Sequence, residues 1–325
     1  MKRRIRVAAA VLAAAFIWLL GGCGAAMPPL TETRVALDTV VTLTLYDTTD
    51  RAPLTDCFDE IARYEALFSR TRADSEIAAL NAADGAEVTL SAETHDLLAI
   101  GRGYGARTDG ALDITIGPVS ALWDFEAQTL PDAAALADAA ARVDWRALEL
   151  TETGARLPAG MAVDLGGIAK GYIADRLAER LRAAGVDSAL LDLGGNIYAL
   201  GKKDGRAFAV GIRDPQDANA LAAVVRVSDR SVVTSGVYER GFERDGVTYH
   251  HLLDPATGWP VQNGLSAVTV VSDRSVDGDA LSTACFVRGL TDGMALIEAT
   301  DGAEALFIEA DGTLHASSGL EFEER

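Results

Sequence analysis

Apolar residues alternate along VALDTVVTLTLY (35–46), at Val35, Leu37, Val41, Leu43 and Leu45. That period of two predicts one half-buried strand. The period then lengthens. Phe58, Ile61, Leu67 and Phe68 recur at near-helical spacing and predict a helix over 54–68. DSEIAALN (74–81) reads as a short capped helix. Ser91 with Glu93 opens another along SAETHDLLAIGRGYGART (91–108), whose glycines weaken its later turns. Pro131 starts an Ala-rich helix over 131–143, because proline is tolerated at a first helical position. LELTETGARLPAG (148–160) predicts a hairpin turning near Gly154.

MAVDLGGIAKGYIADRLAERLRAAGV (161–186) combines both periods. A short apolar strand ends at Asp164, two glycines follow, and a helix runs to Gly185 as its C-terminal stop. SALLDLGG, AFAVGIRD, AAVVRVSD and LSAVTVVSD read as strands. A helix over about 279–299 and short strands near 304–315 close the chain. After residue 186, consecutive strands outnumber βαβ units, which predicts α+β architecture with antiparallel-rich sheets and flanking helices. No fixed repeat or internal low-complexity linker divides residues 34–325, so they form one domain.

The N-terminus has a different character. MKRRIR is basic, and VAAAVLAAAFIWLL is apolar but short for a membrane span. Leu20-Gly21-Gly22-Cys23 resembles a bacterial lipobox, with Cys23 as the lipidated residue. Residues 1–22 are thus expected to be a lipoprotein signal peptide, and 23–33 a lipidated tether. The expected location is the extracytoplasmic face of the cell membrane, held by acyl chains. A net charge of −19, with no Lys/Arg cluster after residue 6, argues against nucleic acid as a partner. Cys57 and Cys285 leave open a disulfide or two buried thiols. No Cys/His spacing matches a zinc site.

Four stretches could carry chemistry. Neither G-x-G-x-x-G before a helix nor G-x-x-x-x-G-K-[ST] occurs, so ordinary Rossmann and P-loop readings are poor. DLGGIAKGY (164–172) places glycines and Lys170 at a helix start, suited to phosphate, or to a tight turn with a solvated lysine. TDGALDITIGPVSALWDF (108–125) carries two carboxylates that bind hydroxyls or cap turns. VVTSGVYERGFERDGVTYHHLLDPATGWPV (232–261) gathers Ser235, Tyr238, Arg240, His251, Asp254, Thr257 and Gly258. Its DPATGWP portion also reads as a plain turn. DGDALSTACF (277–286) sets Asp279 and Thr283 four apart on one helix face, where two oxygens could meet a hard cation. The same stretch could be a capped helix start.

Taken in order, these segments resemble the ApbE family of FAD:protein FMN transferases. The matching pieces are FSRTRADSEIAALN, TDGALDITIGPVSALWDF, VDLGGIAKGYIADRL, LLDLGGNIYALG, GIRDP, TSGVYERGF…YHHLLDPATGWPV and DGDALSTACFV. They span nearly all of the chain after the tether. The resemblance implies an ApbE-like, T-fold-like fold and a Mg²⁺-dependent transfer. The FMN half of FAD would pass to a threonine of a flavoprotein subunit of a membrane redox complex, releasing AMP. It implies that Asp279 and Thr283 ligate the metal with a backbone carbonyl near Gly166 or Gly167. It further implies that Asp164 and Lys170 face the nucleotide, with Asp113, Ser235, Thr257 and Gly258 around the same cofactor. His251 matches the family's H-x-x-D-P-x-T-G histidine and is the candidate for acid–base work or phosphate contact on the cofactor, with Asp279 the other catalytic candidate.

Two positions depart from the family pattern. Leu37-Asp38-Thr39 stands where members often carry Met-Gly-Thr, and Thr71 stands where many carry an aromatic that stacks on the cofactor. Tyr104, Trp123 or Tyr238 is then the candidate platform. Two other functions stay open: an FAD pyrophosphatase giving FMN and AMP, and a lipid-anchored FAD-binding protein without catalysis.

Overall fold

The computed structural model describes residues 28–325. The expected signal peptide 1–22 and the lipidation residue Cys23 lie outside the described residues. Strands β1 (Leu30–Ala36) and β2 (Thr39–Leu45) form an antiparallel hairpin, where the alternation predicts one strand. Leu37 and Asp38 make the turn, with φ of 54° and 56°. Two-residue hairpin turns that match strand twist need such positive values. The alternation misleads because only β2 has a buried face: Val41, Leu43 and Leu45 are buried, whereas Val35 is 83% exposed. Residues 30–33, expected in the tether, belong to this edge strand.

The helices are α1 (Ala52–Phe68), α2 (Glu76–Asn81), α3 (Ala92–Arg107), α4 (Gly117–Ser120), α5 (Ala133–Ala140), α6 (Ala169–Ala183) and α7 (Ser275–Glu298). Ser75, Ser91 and Asp132 cap α2, α3 and α5 through their side-chain oxygens, each satisfying a backbone N–H the helix leaves free. The glycines of α3 do not end it. A Cβ at Gly101 would lie 2.7 Å from Ile114, and one at Gly105 would lie 2.5 Å from Trp145. They are contact points that let neighbouring chain approach.

Residues 161–164 are not the predicted strand. They make a single parallel bridge, Ile116 to Ala162. Asn81 takes a strand neighbour's place: its Nδ2 donates to the Val163 carbonyl at 2.9 Å, and its Oδ1 accepts from the Val163 N–H at 2.6 Å.

A small sheet joins β3 (Val88–Thr89), β4 (Glu149–Leu150) and β5 (Gly154–Arg156) in the order β3-β5-β4. The remaining strands are β6 (Ser188–Leu193), β7 (Asn196–Gly201), β8 (Phe208–Arg213), β9 (Leu221–Val227), β10 (Arg230–Gly236), β11 (Gly241–Arg244), β12 (Val247–His250), β13 (Leu265–Ser272), β14 (Ala303–Glu309), β15 (Leu314–Ala316) and β16 (Phe322–Glu324). The main sheet has eight strands in the order β1-β2-β6-β7-β10-β13-β14-β15. Every pairing in it is antiparallel.

Each face of that sheet has its own core. On one face, Leu43, Leu191 and Val268 pack with Ile61 of α1, Ile173 of α6 and Phe286 of α7. On the other, Val232, Ala267 and Leu306 pack with Phe208, Val210 and Val225 of the β16-β9-β8 sheet. The result is helices, large sheet and small sheet in layers, the expected α+β class. A third apolar cluster, around Trp123, Leu136 and Leu253, supports the loops near the β11–β12 hairpin.

Helix α7 begins at Ser275, four residues earlier than predicted. The Asp175 carboxylate of α6 accepts from the Ser275 and Val276 N–H groups at 2.7 and 3.0 Å, capping α7 from outside its own sequence. Asp279 therefore lies in the second turn, on the buried face. Although α7 is long and apolar enough to cross a membrane by length and composition, it packs against β10, β13 and β14 as a core helix. Cys57 and Cys285 are free and buried, without a disulfide between them.

Candidate functional site

The first turns of α6 meet the second turn of α7. Gly171 makes this approach possible, because a Cβ there would lie 2.4 Å from the Ser275 carbonyl oxygen. Ile168 begins α6 without any side-chain cap. Its free N–H groups need acceptors from elsewhere, and Asp279 Oδ2 takes the Gly171 N–H at 2.8 Å. Asp279 is 5% exposed. Burial pushes its carboxyl above the usual range, opposed by the Lys170 ammonium, the Gly171 N–H and the Asn196 amide.

One turn on, Thr283 faces the same place. Ser235 of β10 lies within hydrogen-bond reach of Ser282 Oγ at 2.9 Å and of Thr283 Oγ1 at 3.3 Å. Gly167 is close by: a Cβ on it would lie 3.7 Å from Thr283 Oγ1. One carboxylate, hydroxyls and the backbone of the DLGG turn thus converge beside Lys170. Among the described residues, no three His, Cys, Asp or Glu side chains form a metal-holding group. The oxygens suit a hard cation that keeps most of its shell for water and substrate phosphates.

His251 and Glu239 lie near enough to Lys170 to feel its charge. His251 Nδ1 lies 3.3 Å from the Arg240 carbonyl. Desolvation pushes the imidazole down to about 4, partly opposed by that carbonyl, so the ring is neutral at pH 7. Glu239 reaches solvent, yet desolvation by the protein packed around it raises its carboxyl to about 7. Lys170, Arg213 and Arg240 oppose this rise, whereas Asp279 adds to it. These cations gather around Glu239 in a chain whose net charge is −19. His250, the neighbouring histidine, is a core residue: its ring meets Phe286 edge-on at 5.7 Å, and its Nε2 lies 3.0 Å from the Val261 carbonyl.

Other expected site residues have local tasks. Asp164 shapes the turn before α6. It accepts from the Gly166 N–H at 2.9 Å and Ser120 Oγ at 2.7 Å, and pairs with Arg70 at 3.0 Å. Asp113 is buried, and both its oxygens are engaged. Thr115 donates twice to Oδ1, and the Trp145 N–H donates to Oδ2 at 2.8 Å. Its contacts are those of a loop brace. Thr257 Oγ1 donates to Asp254 Oδ2 at 3.1 Å, and the Gly258 carbonyl accepts from Trp123 Nε1 at 3.0 Å. DPATGW is thus a self-bonded turn buttressed by the third apolar cluster.

The three aromatic candidates also separate. Tyr104 is buried and donates to Asp277 at 2.8 Å, while Trp123 is buried against Phe125 and Trp259. Tyr238 is half-buried next to Glu239, with the Arg213 guanidinium 6.0 Å from its ring centre. Thr71 is exposed, its hydroxyl 3.2 Å from Ser69 Oγ. Thr39 lies against the Gly194 backbone, where a Cβ would come within 2.1 Å of its Oγ1. Glu239, Gly171 and Asn196 are the residues that sequence reasoning missed. Each reaches the site through a partner far away in the chain, so no local spacing could reveal it.

The same arrangement has known relatives. A family model described as the ApbE family matches residues 37–307. The FAD:protein FMN transferase of Treponema pallidum (strain Nichols) is 42% identical over 290 residues, covering 83% of this chain and 80% of the relative. One from Klebsiella pneumoniae (strain 342) is 37% identical over 291 residues, covering 87% and 90%. The crystal structure of the ApbE protein from Thermotoga maritima superimposes with a TM-score of 0.83 at 28% identity, covering 90% of this chain and 97% of that one. The apo flavinyl transferase ApbE of Pseudomonas stutzeri gives 0.80 at 29% identity, covering 90% and 95%. A layered α+β fold, a polar cluster where two helix starts meet and a match along most of the sequence therefore agree, and the chain belongs to the ApbE family.

Proposed function

We propose that this protein transfers the FMN half of FAD to a threonine hydroxyl of an acceptor flavoprotein, releasing AMP with the help of Mg²⁺. The observation that carries this reading is the convergence of Asp279, Thr283 and the Gly167 turn beside Lys170. All three donors are oxygens, the kind Mg²⁺ takes. Asp279, Thr283 and a carbonyl of the Gly166–Gly167 turn would hold the ion. When bound, it would neutralise charge on the pyrophosphate as a P–O bond breaks.

The chain's own groups supply the rest. Lys170 and the uncapped start of α6 draw the pyrophosphate to one end of the site. The acceptor Oγ forms a bond to the FMN phosphorus while the P–O bond to the AMP phosphate breaks, and AMP leaves with the bridging oxygen. The hydroxyl proton needs a base, and a neutral imidazole at pH 7 can take it. His251 is neutral at pH 7, although the desolvation that keeps it so also makes it a weaker base until substrate changes its surroundings. Positioning and charge stabilisation do most of the remaining work in such a transfer.

A lipid anchor on Cys23 would hold this domain at the extracytoplasmic membrane face, near membrane redox acceptors. The basic and apolar run before Cys23 supports that placement. A Cys23→Ala variant should then leave the membrane fraction.

The test uses residues 24–325 with FAD and Mg²⁺, with and without an acceptor subunit. AMP release together with an FMN-sized mass gain on the acceptor supports the transferase. AMP with free FMN and no modified acceptor favours the pyrophosphatase. FAD bound but intact favours a binding protein.

A further inference from the structure

Three hydroxyls stand in a row behind the candidate cation site. Thr283 Oγ1 lies 3.3 Å from Ser235 Oγ, and Ser235 Oγ lies 2.9 Å from Ser282 Oγ. Ser282 Oγ donates to the Asp279 backbone carbonyl at 3.1 Å. Ser235 comes from β10, the other two from α7. Ser282 is fully buried and Ser235 is buried, whereas Thr283 is half-buried. Among the described residues, these hydroxyls have no other hydrogen-bond partners.

Each hydroxyl has one proton to give and lone pairs to receive with. The carbonyl at the Asp279 end can only accept. Two proton orders fit the row. In the first, Thr283 donates to Ser235, Ser235 to Ser282 and Ser282 to the carbonyl, so every proton finds an acceptor inside the row. In the second, Ser282 donates to Ser235 and Ser235 to Thr283. That order leaves the Thr283 proton pointing out of the row, towards the place where a cation would sit. A cation takes a hydroxyl through an oxygen lone pair, so the proton must be turned away from it. Only the first order meets that condition.

We infer that Ser235 is a positioning residue for the cation site, its Oγ accepting the Thr283 proton so that a lone pair of Thr283 faces the ion. The inference rests on the metal role proposed above for Thr283. Ser235 acts through Thr283, without touching the ion. Ser282 and the Asp279 carbonyl set the direction of the row, because they give the Ser235 proton somewhere else to go. Groups that orient a metal ligand commonly change affinity 10–100-fold when removed.

The test is Mn²⁺ binding to residues 24–325 without FAD, followed by electron paramagnetic resonance, alongside thermal melting without metal. The variants are Ser235→Ala, Thr283→Val and the two combined. Thr283→Val removes the hydroxyl and keeps the shape of the side chain. Ser235→Ala should weaken Mn²⁺ affinity about tenfold or more. In the Thr283→Val background the same change should alter affinity less than about twofold, because no threonine proton is left to place. Ser282→Ala frees the Ser235 proton to turn onto Thr283. It should weaken affinity in the same direction by a smaller factor, and it serves if Ser235→Ala does not fold. Unchanged affinity in the folded serine variants, with only a lower melting temperature, would show a merely structural role and overturn the inference. Equal weakening by Ser235→Ala in both backgrounds would also overturn it, since Ser235 would then act without Thr283. If the wild-type chain and Thr283→Val bind Mn²⁺ equally, the metal role of Thr283 falls first and this inference with it.

Discussion

The Gly171 N–H donates to Asp279 Oδ2 at 2.8 Å, across 108 positions of sequence. One carboxylate therefore does two jobs. It satisfies a helix start that lacks its own cap, and it presents a buried charge to the site. Burial disfavours that charge, so the site is held at some cost in stability, as functional sites often are.

Replacing Asp279 should separate those jobs. Asp279→Asn keeps an oxygen for Gly171 but removes the charge. Activity should fall at least about a hundredfold, because several kcal/mol of charge stabilisation go with the ion. The melting temperature at pH 7 should stay level or rise, since the folded state disfavours the ionised carboxyl. Activity assays paired with calorimetry check both; a fully active variant would remove Asp279 from the mechanism.

Gly171→Ala should be damaging despite its small size. The added methyl would meet the Ser275 backbone carbonyl at 2.4 Å, so one helix must move. Overpacking of this kind costs about 1–3 kcal/mol. The melting temperature should drop, and divalent-cation affinity should drop with it, because the N–H that holds Asp279 is displaced. Retained affinity at a lower melting temperature would uncouple the two.

His251 should stay neutral well below pH 6. Its folded pKa of about 4 lies below the ordinary histidine value of 6.5. The unfolded chain thus binds the extra proton more readily between those two values. This residue costs the fold stability as pH falls from 6.5 towards 4, and costs nothing above 6.5. Imidazole ¹⁵N shifts recorded from pH 4 to 8 check this. A midpoint near 6.5 would contradict the desolvated position.

Glu239 should give the opposite slope. Its pKa is raised from 4.5 to about 7, so the folded chain holds the extra proton across that window. Its contribution to stability is present below about 4.5 and is lost as pH rises through 7. Glu239→Gln should flatten that part of the curve. Denaturant midpoints of both proteins from pH 5 to 8 should diverge upward in favour of the variant. Parallel curves would place Glu239 in ordinary solvent.

The sequence alone determined much of this protein. Helices α1, α2, α3 and α6, strands β6, β8, β9 and β13, and the α+β class are written in local pattern, the helices and β8 by burying one face and β13 as an apolar run buried on both. The ordered motifs also led to the ApbE family, and to Asp279, Thr283, Gly167 and Lys170 as neighbours. Tertiary structure alone decided the rest. Leu37-Asp38 became a turn because burial separates β2 from β1, and the alternation runs across both. The hydrogen bonds that Asp113, Thr257 and Gly258 make within loops and turns are likewise not written in their spacing. Asn196, Glu239 and Gly171 carry no recognisable spacing. Their importance comes from what the chain brings against them, and a side chain's field or hydrogen-bond partner depends on distance in space, not in sequence.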